Sequence, residues 1–368
     1  MKALGIVNIH KDSIEGLGDY RPLAATSFLG RYRLVDFVLS NMANSGINDI
    51  QVYIKEKPRS IVEHIGSGRH YNINSKRGRI MLLGDEKRLP SEAYNTDINS
   101  FDEHMQFIDR VNVPYVIIAP CNYIYMLNYE EVLAAHIESE ADVTMVYKSV
   151  DTAKEKFLGC DTINLNTKKT VVSMEPNRGN YAKRNVSLET YVMSKEVFKD
   201  LVKKARETSM FYTLSDILSE SLDTLDVQGY PYKGYAACVN SFDSYYKTSM
   251  ELKQRDMMKT LMSEKWPIYT RTNDSAPVKY GENATVKNSC ISNGCVIKGT
   301  VINSVLGRNV VVGENAVLKD CIVMADAVIG NNIEMEYVIA DKFVTVKKKD
   351  CIKGTAEEPV YICKYDKV

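Results

Sequence analysis

Between about residues 276 and 352, aliphatic pairs recur at a spacing of six: Val305-Leu306, Val311-Val312, Val317-Leu318 and Val323-Met324. The series continues at Val328-Ile329 with a slip of one residue. Gly307, Gly313 and Gly330 follow such pairs, with Asn309, Asn315 and Asn331 just beyond. A six-residue period with turn-prone Gly and Asn predicts a parallel β-helix of hexapeptide repeats. Each short flat of the coil turns its aliphatic inward, and Gly and Asn tolerate left-handed backbone at the corners. An ordinary β-sandwich would reach this spacing only by chance.

The preceding part, 1–247, reads differently. Apolar runs Ala3–Val7, Ile50–Ile54, Tyr115–Ile118 and Val143–Tyr147 are strand candidates; Arg33–Asn44, Ile98–Val111 and Tyr129–Ser139 are helix candidates. Strands alternating with helices predict βαβ units and a mainly parallel sheet. Ligands in such folds bind beyond the carboxyl ends of the strands. A polar stretch, Ser244–Ser263, reads as helical and leads out of this part. The expected division is therefore an α/β domain over 1–247, a helical linker over 248–275, a β-helix over 276–352 and a tail over 353–368.

Charge narrows the function. Lys plus Arg is 47 and Asp plus Glu is 47. A balanced chain is not built for nucleic acid or an anionic membrane surface. No apolar run is long enough to cross a membrane, and the start reads as a strand rather than a leader, so a cytoplasmic location is expected. The eight cysteines include no C-x-x-C, which favours free thiols over disulfides or a metal site.

Gly30-Arg31-Tyr32-Arg33-Leu34-Val35-Asp36-Phe37, running on to Asn44-Ser45-Gly46-Ile47, resembles the ADP-glucose pyrophosphorylase (glucose-1-phosphate adenylyltransferase) family. His64-Ile65-Gly66-Ser67-Gly68, Ile124–Tyr129 and Ser241–Tyr246 fit later segments of that family, in order. The resemblance runs from residue 3 to about 350. It implies a Rossmann-like nucleotidyltransferase domain followed by a left-handed parallel β-helix. It also implies a reaction in which glucose 1-phosphate attacks the α-phosphorus of ATP, giving ADP-glucose and pyrophosphate. Such a step needs positioning and charge neutralisation: a Gly-rich loop with an arginine, Mg2+ held by two aspartates, and lysines on the phosphates.

Matched position by position, those parts are missing. The Gly-rich loop is replaced by Asn8–Glu15, without glycine, where Lys11 could stand in part for the lost arginine. Leu23 takes the place of a phosphate-binding lysine, while Arg21 remains nearby. Asn122 and Cys238 take the places of the two metal aspartates; an amide carries no charge, and a thiol is a poor ligand for a hard cation. Pro176 replaces a lysine of the sugar-phosphate pocket. In the segment Ser187–Tyr191, Glu189 places a carboxylate where the family has glycine. Two unit charges 4 Å apart at an effective dielectric of 20 repel by about 4 kcal/mol. Removing one preorganised charge partner costs ~10²–10³ in rate, and several are gone together.

The resemblance therefore implies a GlgD-type regulatory or structural subunit with no catalytic residues and no metal of its own, Mg2+ belonging to a catalytic partner. Lys11, Arg21, Ser187, Glu189 and Tyr191 are the candidates for a residual ligand pocket. The implied partner is the catalytic glucose-1-phosphate adenylyltransferase subunit, in a heterotetramer. Self-association and an allosteric metabolite are further expectations. Two other readings stay open: an active enzyme drawing on Lys11, Asp36 or Asp97, and a metabolite sensor without chemistry. Asp36 reads better as a helix or packing residue. Acyl transfer is disfavoured, because all five histidines (10, 64, 70, 104 and 136) precede the repeat.

Overall fold

The strand Ala3–Ile9 alternates its side chains between two buried layers. Ala3, Val7 and Ile9 join one apolar cluster; Leu4 and Ile6 join another on the opposite face. Burial on both sides is the mark of a central strand in a parallel sheet. The structure, a computed structural model, describes residues 2–10, 14–73, 78–84, 92–261 and 263–368. In it Ala3–Ile9 lies parallel to both Asp49–Ile54 and Tyr115–Pro120, and Arg79–Gly84 extends the sheet beyond Asp49–Ile54. The long strand Arg184–Ser194 then runs antiparallel to Tyr115–Pro120 and pairs with Val143–Val150 and Asp161–Leu165. The sheet is thus mixed and has nine strands among the described residues.

Helices Leu34–Asn44 and Tyr129–Ser139 match the sequence reading closely. The expected helix over Ile98–Val111 is instead two, Asp97–Glu103 and Met105–Asp109, broken at His104. The ring of His104 turns aside to the carbonyl of Gly84 (3.1 Å) and lies against Tyr53. The polar stretch leading out is also two helices, Phe242–Leu252 and Arg255–Leu261. Irregular chain, not helix, covers 263–278.

The repeat folds into three parallel sheets of five short strands each. Val305 sits over Ile322, Val311 over Val328 and Val317 over Glu334. One expectation shifts. The fourth strand is Ile322–Val323, so the one-residue slip falls there and not at Val328. The corner residues divide the labour differently too. Asn309, Asn315 and Asn332 hold left-handed backbone; Asn331 does not, and its Oδ1 instead accepts from the Glu314 amide at 2.9 Å. Gly307 and Gly313 are not left-handed. They are needed because a Cβ there would lie 2.5 Å from backbone atoms of the next coil. The strand Val360–Ile362 pairs with Val338–Ala340, so part of the expected tail completes the last coil.

One sheet of the β-helix packs on the α/β domain. Val305, Ile322, Met324 and Ile339 share an apolar cluster with Leu17, Leu23, Phe28, Tyr32 and Phe37.

Candidate functional site

A cleft of about 330 Å³ opens beyond the carboxyl ends of the three parallel strands, where such sheets place ligands. Asn8, His10, Lys55 and Pro120 come from those strand ends; Asn95–Asp97, Glu189, Tyr191 and Thr213–Ser215 complete the wall. Asp97 ties the pieces together. Its Oδ2 accepts from Asn8 Nδ2 (2.7 Å), and its Oδ1 accepts from the amides of Ile98 (2.8 Å) and Leu214 (3.1 Å). His10 meets Asn8 through Nδ1 at 3.1 Å. Among the described residues its Nε2, closed off from solvent, has no hydrogen-bond partner, and neither has the Oδ1 of Asn95. Burial, with help from Lys55 and His104, pushes the His10 imidazole down to about 3, so it is neutral at ordinary pH.

Glu189 enters the cleft from an irregular strand. The register of Arg184–Ser194 against Val143–Val150 breaks between Ser187 and Thr190. Within that bulge Glu189 has φ +47°, a left-handed conformation, and its amide donates to Ser187 Oγ at 3.1 Å. Tyr123 donates its hydroxyl to Glu189 Oε1 at 3.4 Å. Burial, followed by the charges of Glu189 and Asp161, raises the Tyr191 hydroxyl far above the usual tyrosine range. Among the described lining residues the charged groups are Asp97, Glu189 and Lys55.

Asn122 and Cys238 are brought together. Tyr123–Tyr125 pairs antiparallel with Ala236–Cys238, setting Cys238 opposite Tyr123. The Asn122 amide donates to Cys238 Sγ at 3.4 Å, and both residues are buried. Asn122 Oδ1 has no partner among the described residues. This donor set does not suit Mg2+: one neutral oxygen beside a thiol offers none of the carboxylate oxygens that a hard, strongly hydrated cation requires. Among the described residues no group of three or more His, Cys, Asp or Glu could hold a metal ion.

The other candidates go elsewhere. Lys11 lies outside the described residues. Arg21 is not a pocket residue: it is buried at the domain junction, donating through Nη2 to Asp341 of the β-helix and through Nε to the Leu17 carbonyl (3.2 Å). A cation near an apolar junction finds the nearest buried carboxylate, whichever domain supplies it. Ser187 is fully buried in the bulge and serves Glu189 rather than a ligand. Leu23 is buried in the junction core. Pro176 is exposed at the end of its strand and does not line the cleft. Asp36 is a packing residue: it accepts from the Arg33 amide (2.8 Å) and the Tyr71 hydroxyl (2.6 Å) and pairs with His64 Nε2 (2.6 Å).

Sequence reasoning missed His10, Lys55, Asn95 and Thr213–Ser215 as cleft residues. The first two follow three and one residues behind the strand ends readable at Val7 and Ile54. Thr213 carries a readable signal as well, a capping box with Asp216 that starts the helix Leu214–Glu220.

Residues 20–255 match the nucleotidyl transferase family, and residues 276–358 match the GlmU-like C-terminal hexapeptide family. The chain is 31% identical over 363 residues to a glycogen biosynthesis protein GlgD of Bacillus subtilis (strain 168), covering 98% of this chain and 95% of that one. It is 33% identical over 326 residues to a GlgD of Geobacillus stearothermophilus, covering 86% and 83%. It is 29% identical over 350 residues to a glucose-1-phosphate adenylyltransferase of Fervidobacterium nodosum, covering 94% and 83%.

Proposed function

The chain belongs to the nucleotidyl transferase family, as a GlgD-type member of its ADP-glucose pyrophosphorylase branch, and from that premise we propose that it is a regulatory or structural subunit of glycogen biosynthesis. A separate catalytic glucose-1-phosphate adenylyltransferase subunit carries out the conversion of ATP and glucose 1-phosphate into ADP-glucose and pyrophosphate. The observation that carries this reading is the buried contact of Asn122 with Cys238. At the two places where the family resemblance implies Mg2+ carboxylates stand a neutral amide, which donates through Nδ2, and the thiol sulfur that accepts from it. Leu23 and Pro176 replace cations, and Glu189 adds a negative charge to the cleft. A nucleotidyl transfer rests on preorganised charge, and among the described residues the cleft lining has one lysine, Lys55, beside the carboxyl side chains of Asp97 and Glu189.

The framework, by contrast, keeps its apolar clusters: both layers of the sheet, the domain junction and the β-helix core are lined by buried hydrophobic residues. Such a chain suits assembly and control. It acts by biasing its catalytic partner between states, in a heterotetramer that holds the Mg2+ on the partner's side.

The test is co-expression with a catalytic glucose-1-phosphate adenylyltransferase. Co-purification is expected, with ADP-glucose synthesis by the partner altered in rate or effector response when this chain is present. Pyrophosphate release by this chain alone, at rates ordinary for pyrophosphorylases, would sink the reading.

A further inference from the structure

We propose that a groove separate from the cleft binds a neutral carbohydrate chain, an α-linked glucan laid on the rings of Tyr230, Tyr232 and Trp266. The site stands on its own geometry; the choice of an α-glucan among carbohydrates rests on the glycogen-linked reading above.

The groove, about 560 Å³, shares no lining residue with the cleft, and its volume falls within the range of ligand sites. Three observations support the assignment. The first is its wall. Tyr230 lies in the strand Val227–Pro231, and Tyr232 follows that strand directly; both rings pack against the same apolar cluster. Trp266 adds a third ring from the irregular chain. All three residues are half-buried. Tyr and Trp suit a partner that is apolar on one side and wet on the other, and a pyranose ring offers such a face of C–H groups edged by hydroxyls. The second is that the rings are held in place. Trp266 Nε1 donates to Asn41 Oδ1 at 2.9 Å. The Tyr232 hydroxyl accepts from the Met126 amide and donates to the Tyr235 carbonyl, both at 3.1 Å, and the Lys148 ammonium lies 5.8 Å from its ring centre. Side chains fixed in advance lose little freedom when a ligand arrives. The third is the polar edge. Asn128, Glu131 and Lys233 border the rings, and Glu131 Oε1 accepts from Asn128 Nδ2 at 3.0 Å. Burial, then the charge of Glu131, raises the Tyr230 hydroxyl above the usual tyrosine range, so it stays a neutral donor. One cation and one anion leave the lining without net charge. That balance favours an uncharged ligand, and sugar hydroxyls both donate and accept.

Trp266 is the one tryptophan of the sequence, so its emission reports on this groove. Titration of the full chain with maltohexaose, followed by tryptophan fluorescence and by calorimetry, tests the proposal. A saturable change is expected, with the same affinity by both methods. Tyr230→Ala is expected to weaken binding about tenfold, while Tyr230→Phe keeps the ring and should stay near the wild type. Glu131→Ala, at an exposed helical position, is expected to weaken binding about threefold, and it keeps the test open should Tyr230→Ala not fold. Calorimetric binding without a change in tryptophan emission would put the ligand elsewhere and overturn the proposal. So would no binding at millimolar maltohexaose, or unchanged affinity in both alanine variants. Cellohexaose, the same sugar joined by β links, is expected to bind more weakly; equal affinity overturns the choice of an α-glucan. Each of these results leaves the subunit reading standing, since that is decided by synthesis with the catalytic partner.

Discussion

The guanidinium of Arg21 and the carboxylate of Asp341 meet across the junction of the two domains, both buried. The Tyr361 hydroxyl also bonds to Asp341 at 2.6 Å and reaches the Gly16 carbonyl at 3.1 Å. A buried ion pair, with the Tyr361 phenol beside it, thus joins Arg21 and Gly16 to the last coils of the β-helix.

Removing one member should strand the other's charge. Asp341→Asn or Arg21→Met is expected to destabilise the chain by ~3–5 kcal/mol, because a buried charge loses its partner. Replacing both, as Arg21→Met with Asp341→Leu, should recover much of that loss. Denaturant midpoints of the four proteins check this. A single variant within ~0.5 kcal/mol of the wild type would show that the pair is not desolvated as the structure has it.

At Gly30 the backbone of the α/β domain packs tightly against the β-helix. Gly30 has φ +75°, and a Cβ there would lie 2.5 Å from Ser292 Oγ and 2.6 Å from the Leu306 carbonyl oxygen. Gly30→Ala therefore combines left-handed strain with a backbone clash and should cost about 3 kcal/mol or more. Gly46 has the same φ, but a Cβ added there would meet no atom within 4 Å, so Gly46→Ala should cost only about 1–2 kcal/mol. Thermal melts of the two variants side by side separate steric clash from conformational strain. Faster proteolysis of the linker is expected for Gly30→Ala alone.

Acid should weaken the fold through His10. Its imidazole takes up a proton near pH 6.5 when unfolded but only near 3 when folded. Between those values the unfolded chain holds the extra proton, so stability falls as pH falls, by roughly 1.4 kcal/mol per unit at most. Asp36 acts in the same direction. Its carboxyl is held below the usual range by His64 and by side-chain hydrogen bonds, against burial, which is the largest single influence and opposes them. The stability that Asp36 contributes is present above its unfolded pKa and is lost as pH falls toward its folded one. His10→Gln should flatten the stability profile between pH 6.5 and 4. An unchanged slope would mean that His10 can be protonated within the fold.

Asn122→Asp combined with Cys238→Asp places two carboxylates in a buried site. Without metal the double variant should lose several kcal/mol of stability from like-charge burial. Millimolar Mg2+ should restore part of it, while the wild-type melt is indifferent to Mg2+. Activity is not expected to return, because the phosphate cations are still missing. A Mg2+-dependent shift in the wild type would contradict the reading of the amide–thiol contact.

Much of this protein was legible from residue order because the relevant physics is local. A six-residue aliphatic period can bury itself only by coiling, and the repeat Val305–Ile329 does so with a single shifted strand. Strands that alternate with helices favour a parallel core with a cleft at its carboxyl edge, and the core Ala3–Ile9, Asp49–Ile54 and Tyr115–Pro120 follows that rule while Arg184–Ser194 runs antiparallel. The replaced charges at Leu23, Asn122, Pro176 and Cys238 were visible because loss of charge is a property of the residue itself. What those residues do instead was settled only by distant neighbours. Arg21 looks like a phosphate ligand until Asp341, 320 residues away in the chain, takes its charge. Asn122 and Cys238 are separated by 116 residues and become partners only because two short strands pair. Glu189 acquires its left-handed backbone from a bulge that neither strand announces. Periodicity is written along the chain, but the partner of a buried charge depends on which segments folding brings within hydrogen-bond reach, and that is decided in three dimensions.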